Sequence, residues 1–395
     1  MVAHNGRLGS QASLREVNSA RVADAIRRYG RITQVELAAA TGLSSATISN
    51  IVKQLVERGV ATTENTIRSG RRAQLVSLRT QSGLGIGIHI ARRAMHIEIA
   101  DSAYSVTARK ILPLPEEHRI DTTLSRAAML ISELTEEIGA DLSDVIGIGL
   151  CVPAPVDPVS QEISVPGFMR DWEDTDIRSL LMNRLERPVL VENDANAGAI
   201  GELRYGNLRG VDNGIYIRAS YLCGAGMIVN GTLHRGPHGT AGEIGHIQVD
   251  PLGLICQCGN RGCLNTVVGA NALVELLRVS RGHLSLRDVI SLAKDGDPGC
   301  VHLMTDAGAM IGQVAANIAT WTDTQRIVVG GELAETGDIL LAPMAQAIRS
   351  RPMLMREHID VLQTSLNGSA EAKGALALAL DEFSDPISQS VEDAQ

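Results

Sequence analysis

Between His246 and Cys263 the chain places one imidazole and three thiols, His246, Cys256, Cys258 and Cys263, within eighteen residues. Their frame is GTAGEIGHIQVDPLGLICQCGNRGCLN, residues 239–265. A Cys-x-Cys-x4-Cys run with an upstream His is a donor set for tetrahedral Zn2+, since thiolates and an imidazole complete its coordination. With no open position, such an ion is structural and not hydrolytic. Gly253, Gly259 and Gly262 let the backbone fold tightly around it. Buried reduced thiols without metal are the alternative. Cys151, Cys223 and Cys300 stand alone and read as small core residues.

A chain of 395 residues exceeds one ordinary core, so two or three domains are expected. Six cysteines at this length do not make a disulfide scaffold. Two Phe, two Trp and five Tyr are too few for base stacking on aromatic platforms. No run of eighteen apolar residues occurs and the start lacks an apolar segment, so neither a membrane span nor secretion is expected, and the location is cytoplasmic. Residues 1–80 carry +7 against −9 for the chain, which leaves −16 on residues 81–395. A basic module ahead of an acidic body suggests a polyanion partner for the first, with ordinary charge scatter as the plain alternative.

Residues 18–29 (NSARVADAIRRY) put Val22, Ala25, Ile26 and Tyr29 at helical spacing. Thr33 to Glu36 form a capping-box pattern that opens a short helix through Ala40. Thr41-Gly42-Leu43-Ser44 makes a turn, and Ser44 is placed to cap a further helix from Ser45 to about Glu57. With Leu37, Leu43, Ile48, Val52 and Leu55 inward, this is a helix-turn-helix. Its outward face offers Ser45, Thr47, Ser49, Asn50 and Lys53 to base edges and phosphates of double-stranded DNA. Alternation over 60–64 and 74–78 flanks a basic tip containing Arg68, Arg71 and Arg72, a wing suited to phosphate or minor-groove contact. A helical bundle in a protein contact is the competing reading.

From Leu84 the texture becomes α/β. Strand-like runs lie in 84–100, 145–150, 188–191, 215–217, 227–229 and 327–329. Helical patterns cover 122–138, 198–204, 270–279, 301–319 and 370–382. Polar residues at strand ends, such as Glu192-Asn193-Asp194-Ala195-Asn196, are where α/β sheets place ligands.

VPAPVD (152–157), VENDANAGAIGE (191–202), GTLHRGPHGTAGEIGH (231–246), CQCGNRGCLN (256–265) and VVGGEL (328–333) together resemble the ROK family of bacterial sugar kinases and sugar-responsive repressors. TGLSSATISNIVKQLVERG (41–59) resembles the DNA-binding part of those repressors. The resemblance runs from about residue 18 to about 382 and implies a two-lobed, actin-like, ribonuclease-H-like sugar kinase fold behind a winged helix-turn-helix. It implies that Asn193, Asp194, Glu243 and His246 contact a sugar, His246 while also holding zinc, and that Asp194 stands where the kinases keep a general base. A helix N-cap is the structural alternative for Asp194.

Three departures bear on function. The first phosphate loop, Asp-x-Gly-Gly-Thr in the family, is His89-Ile90-Ala91-Arg92-Arg93 here. The second, Gly-Thr-Gly, is Ser220-Tyr221-Leu222, with only Gly224 and Gly226 remaining beyond it. Phosphoryl transfer is almost wholly positioning and charge neutralisation, so these losses are expected to abolish it. On the sugar side, a contacting Glu is Asn265, and an Asn aligns near Gly167.

The resulting expectation is a regulator, a repressor by choice, that is not an enzyme. Its head spans 1–80 and a first lobe spans 82–195 with 370–385. A second lobe, 196–369, carries the zinc set and a dimer surface, and a disordered tail spans 386–395. Its partners are a DNA operator and a sugar or sugar-phosphate effector, with no membrane, as a homodimer or dimer of dimers. An active kinase with an appended head, or a ligand-blind regulator or activator, stays open.

Overall fold

A computed structural model describes residues 18–19, 21–23, 25–26, 32–57, 60–68, 71–78, 83–101, 104–165, 169, 172, 175–354 and 359–383. The chain divides into two compact units, one holding the residues up to Ser82 and the other Gly83–Leu380. Among the described residues no helix is long and apolar enough to cross a membrane. The tail at 386–395 lies outside the described residues.

In the head, the described residues of 18–26 are helical, with Val22, Ala25 and Ile26 buried. Helix α1 (Gln34–Thr41) opens on the expected capping box. Thr33 Oγ1 accepts from Glu36 N at 3.3 Å, and Glu36 Oε2 accepts from Thr33 N at 2.8 Å. Gly42, at φ +67°, closes α1 in the left-handed region that a glycine enters without strain. Helix α2 (Ser45–Glu57) begins where Ser44 Oγ accepts from Thr47 N at 3.2 Å. Leu37, Ile48, Val52, Leu55 and Val76 join the first helix in one core, and Leu43 packs half-buried against it.

The wing differs from expectation. A short strand, β1 (Ile32–Thr33), pairs with the wing, which consists of β2 (Ala61–Arg68) and β3 (Arg71–Leu78). The ladder runs on until Arg68 faces Arg71, well past the expected strand limits at 64 and 74. β-favouring Thr66 lies in this outer part of the ladder, opposite Ala73.

The body holds two five-stranded sheets. The first joins β4 (Leu84–Ile90), β5 (Ala94–Asp101), β6 (Val106–Pro113), β7 (Val145–Val152) and β8 (Val189–Asn193) in the order β6-β5-β4-β7-β8. Helices α3 (Ile120–Glu137) and α4 (Ile177–Leu185) lay Leu124, Ile131, Leu134 and Leu181 on its Ile86, Ile88, Ile148 and Leu150. The second sheet joins β9 (Gly214–Ala219), β10 (Cys223–Val229), β11 (Thr232–His234), β12 (Arg326–Gly330) and β13 (Asp360–Gln363) in the order β11-β10-β9-β12-β13. Four helices cover it: α7 (Ala270–Arg281), α8 (Leu286–Lys294), α9 (Pro298–Thr322) and α10 (Asp338–Arg349). A one-turn helix, α6 (Asn265–Val268), precedes them. Edge strand β6 was not anticipated, because its mostly exposed VTARKILP carries no apolar run.

Two helices hold the body's centre. Helix α5 (Asp194–Tyr205) leaves β8 directly and packs on β9 and β10, while α11 (Ala370–Phe383) lies against β4, β7 and α5. The approach is backbone to backbone. A Cβ on Gly149 would stand 1.9 Å from Ala375 O, and one on Gly201 would stand 2.1 Å from Ala370 O. Gly149→Ala is therefore expected to push α11 outward and destabilise the body by about 1–3 kcal/mol. Urea unfolding measures this, and an unchanged midpoint would sink the packing account.

Candidate functional site

Where β8 passes into α5, Asn193 is the helix cap: its Oδ1 accepts from Asn196 N at 3.1 Å and its Nδ2 donates to Ala154 O at 3.0 Å. Asp194 is the first helical residue and not the cap, so its carboxylate remains available to the cleft beside it. That cleft encloses about 340 Å³ of unfilled space, open solvent included. Asn193, Asp194, Glu243, His246 and Asn265 all line it, drawn together from three separate stretches of chain. Arg218 and Leu222 line it as well, with Pro153, Cys223 and Gly224.

The polar groups have unequal freedom. Asn265 Oδ1 accepts from Cys223 N at 2.7 Å, so the residue that replaces a carboxylate anchors the start of β10. Glu192 is committed to structure, accepting from Asn193 N and Asn196 Nδ2 and pairing with Arg235 Nε at 2.6 Å. Burial, with the neighbouring Asp194 carboxylate, pushes Glu243 up to about 7.

Sequence reasoning missed Arg218. This residue of β9 is 6% exposed, and its Nε lies 3.3 Å from Asp194 Oδ2 and 3.1 Å from Glu371 Oε1. Tyr216 donates its hydroxyl to the same Glu371 oxygen at 2.9 Å. The signal was present as a lone Arg inside an apolar strand, since such a residue is buried only when paired. Burial pushes the Asp194 carboxyl up; the Arg218 guanidinium, then His89, more than reverse this and leave it below the ordinary carboxylate range.

The two altered phosphate loops lie at the ends of β4 and β9. His89, 3% exposed, stands 3.7 Å from Asp194 Oδ2, too far for a hydrogen bond. Among the described residues neither ring nitrogen of His89 has a hydrogen-bond partner, nor does the buried Ser220 hydroxyl. Arg92 and Arg93, which read as a solvated surface pair, both reach Glu116, at 3.2 and 3.0 Å. Gly167 lies outside the described residues.

His246, Cys256, Cys258 and Cys263 come together with their donor atoms within 4.8 Å of one another, a group that could hold a metal ion. Cys256 Sγ is 3.5 Å from His246 Nδ1, and Cys258 Sγ is 3.7 Å from Cys263 Sγ. Gly259 and Gly262 adopt φ +87° and +67°, whereas Gly253 does not enter the left-handed region. His246 ends a 3-10 turn (Ile244–His246) that begins beside Glu243, so one short segment supplies both the metal group and the cleft.

On the head, Ser45, Ser49, Asn50 and Lys53 are exposed on α2, and Thr47 is half-buried with its hydroxyl 2.8 Å from Ser44 Oγ. Lys53 lies 3.8 Å from Glu57 on the same exposed face. Ala46, also exposed, completes an Ala46-Ser49-Asn50-Lys53 stripe at helical spacing that sequence reasoning left incomplete. The side chains of Arg68, Arg71 and Arg72 lie outside the described residues.

A winged helix-turn-helix joined to a two-sheet, sugar-kinase-like body defines a class of regulator-type proteins, and comparison with known proteins agrees. Residues 85–382 match the ROK family and residues 16–72 the MarR family. The chain belongs to the ROK family. It is 28% identical over 383 residues to the xylose repressor of Bacillus subtilis strain 168, covering 96% of this chain and 99% of that one. It is 30% identical over 387 residues to the DNA-binding transcriptional dual regulator NagC of Escherichia coli K12, covering 94% of each. Among solved structures, a ROK family transcriptional regulator, homolog of the E. coli MLC protein, has a TM-score of 0.71 at 24% identity, over 92% of this chain and 97% of that one. A ROK family glucokinase from Streptomyces griseus, in complex with glucose and AMPPNP, has a TM-score of 0.66 at 28% identity, over 76% of this chain and all of that one.

His96, on β5 with its ring 5.7 Å from that of His89, is pushed down to about 4 by burial, then by His89 and Arg218. The folded state therefore binds fewer protons than the unfolded one between pH about 6.5 and about 4, and stability falls as pH drops through that window. The loss approaches about 1.4 kcal/mol per pH unit. His96→Gln is expected to flatten the acid limb of a stability–pH curve; an unaltered limb would remove His96 as its cause.

Proposed function

We propose that this protein is a DNA-binding transcriptional regulator, acting as a repressor of carbohydrate uptake or catabolism genes, whose body senses a sugar or sugar derivative without phosphorylating it. The observation that carries the reading is the pairing of a DNA-reading head with a cleft that keeps sugar-suited groups but has lost both phosphate loops. Carboxylate, amide and imidazole suit sugar hydroxyls, which both donate and accept. His89 in place of a metal-organising carboxylate, and Leu222 in place of a phosphate-loop glycine, oppose transfer from a nucleotide. The xylose and N-acetylglucosamine repressors among its relatives support a sugar as effector.

The head corresponds to 1–80, the lobes to 82–195 with 370–385 and to 196–369. The protein works in the cytoplasm as a homodimer or dimer of dimers, because one head makes few base contacts and operators are usually palindromic. Effector binding shifts the population toward a state in which two heads no longer match two half-sites.

The metal is Zn2+. Bonds of about 2.3 Å to sulfur and about 2.0–2.1 Å to nitrogen give tetrahedral edges of about 3.8 Å between sulfurs and about 3.5 Å between sulfur and nitrogen. The separations of 3.7 and 3.5 Å fit those edges. When bound, the ion supplies cross-linking and no reaction, while His246 is held facing the cleft. About one zinc per chain is expected by metal analysis. Cys258→Ser should lose both the metal and the effector response; fully reduced, folded protein without zinc would refute the assignment.

Asn50→Ala is expected to narrow the gap between operator and random duplex by about 1–3 kcal/mol. Replacing Arg71 and Arg72 should weaken both duplexes alike and flatten the salt dependence. Asp194→Asn and Glu243→Gln should keep operator binding and lower effector affinity by at least about 1–2 kcal/mol. Titrating sugars into protein–operator complexes, with ATP consumption followed in parallel, checks both. Sugar-dependent ATP hydrolysis abolished in Asp194→Asn would overturn sensing in favour of a kinase.

A further inference from the structure

We infer that Arg218 is a positioning residue of the cleft, which holds Asp194 as an acceptor-only group toward ligand hydroxyls. This rests on the reading of the cleft as a sugar site, but the arrangement is visible without any ligand.

Asp194 is 5% exposed, and a carboxylate so placed stays ionised only with a compensating charge. The groups that face it come from five directions. Arg218 on β9 lies 3.3 Å from Oδ2, His89 on β4 lies 3.7 Å from the same oxygen, and Glu243 approaches from the segment before the 3-10 turn. The buried Cys151 thiol on β7 and, across Arg218, Glu371 on α11 complete the set. Only Arg218 is a permanent cation, because a guanidinium does not deprotonate in proteins. It is shared with Glu371, and Glu332 faces it as well, so several carboxylates depend on one guanidinium.

The consequence is chemical. With Oδ2 turned to Arg218, Asp194 stands in the lining of the cleft as an ionised hydrogen-bond acceptor. Its proton affinity is held low, which is the opposite of what a general base requires. Without Arg218 the same carboxylate would be buried beside Glu243 and Glu371, and desolvation and like charge would both drive it to take up a proton. The cleft would then offer a hydroxyl donor where it now offers a carboxylate.

The first measurement needs no ligand. Full-length, metal-loaded protein is titrated from alkaline to mildly acid pH while the infrared stretch of protonated buried carboxyls is recorded. All proteins compared carry Glu243→Gln, so that the neighbouring Glu243 carboxyl adds no band; with Arg218 in place, no band that Asp194→Asn removes is expected. Arg218→Met should gain one near neutral pH, Arg218→Met/Asp194→Asn should lack it, and Arg218→Lys should behave as wild type. If Arg218→Met does not fold, Arg218→Met/Glu371→Gln removes one charge of each sign and carries the same comparison. Absence of an Asp194-dependent band in the folded variant would make Arg218 a neutraliser of Glu371 only and overturn the inference.

The second measurement titrates D-glucose, D-xylose and N-acetyl-D-glucosamine into the same proteins. For a sugar that binds protein carrying Glu243→Gln, which removes the cleft carboxyl pushed up to about 7, affinity should stay flat with pH while Arg218 is intact. In the Arg218 variant it should fall up to about tenfold per pH unit below the raised carboxyl pKa. A flat profile in the variant also overturns the inference. If no sugar binds wild type, the sensing reading fails while the infrared comparison still decides the role of Arg218.

Discussion

The close approach of α5 and α11 is the constraint on which the rest of the body depends. Glycines at the crossing leave no room for side chains, so the two backbones meet and carry Asp194 and Glu371 to the same buried point. Two carboxylates at one buried point stay ionised only with a compensating cation, and β9 supplies Arg218. Two residues further along α11, Lys373 donates to Glu98 on β5 at 2.9 Å. The helix is thus tied to the second sheet through Glu371 and to the first through Lys373. Each tie is a buried or half-buried ion pair, which breaks at high cost when one partner is removed.

That electrostatic centre gives the cleft its character. Kinase-like bodies neutralise nucleotide phosphates with cations and backbone amides from glycine loops. Here a cation sits beside Asp194 instead, and side chains occupy both loops. Among the polar groups of the cleft, several are held by hydrogen bonds to the backbone, as Asn193 and Asn265 are. Such second contacts restrict rotamers and make a pre-formed binding surface. The His246, Cys256, Cys258 and Cys263 group adjoins the cleft, since the segment that ends in His246 begins beside Glu243.

Legibility from sequence followed the range of the interactions. Thr33, Glu36, Gly42 and Ser44 act within four residues, so capping box, turn and second cap were all readable, and the helix-turn-helix stands where they put it. The buried strands β4, β7 and β12 were readable because a strand covered on both faces is a continuous apolar run. Strand β6 was not, because an edge strand alternates weakly and is mostly exposed. The wing strands came out longer than expected, since alternation marks packing and the outer wing pairs without it.

The amino-acid sequence by itself determined the two-part organisation, the helix-turn-helix, the family of the body and the grouping of His246 with three cysteines, because each is written in short-range spacing or in a dense motif. Only the tertiary structure decided what surrounds Asp194. Arg218, His89 and Glu371 lie 24, 105 and 177 residues from it along the chain, and no local pattern links them. Whether a buried carboxylate accepts protons or only hydrogen bonds depends on the charges within a few ångströms, and those are assembled by the crossing of strands and helices.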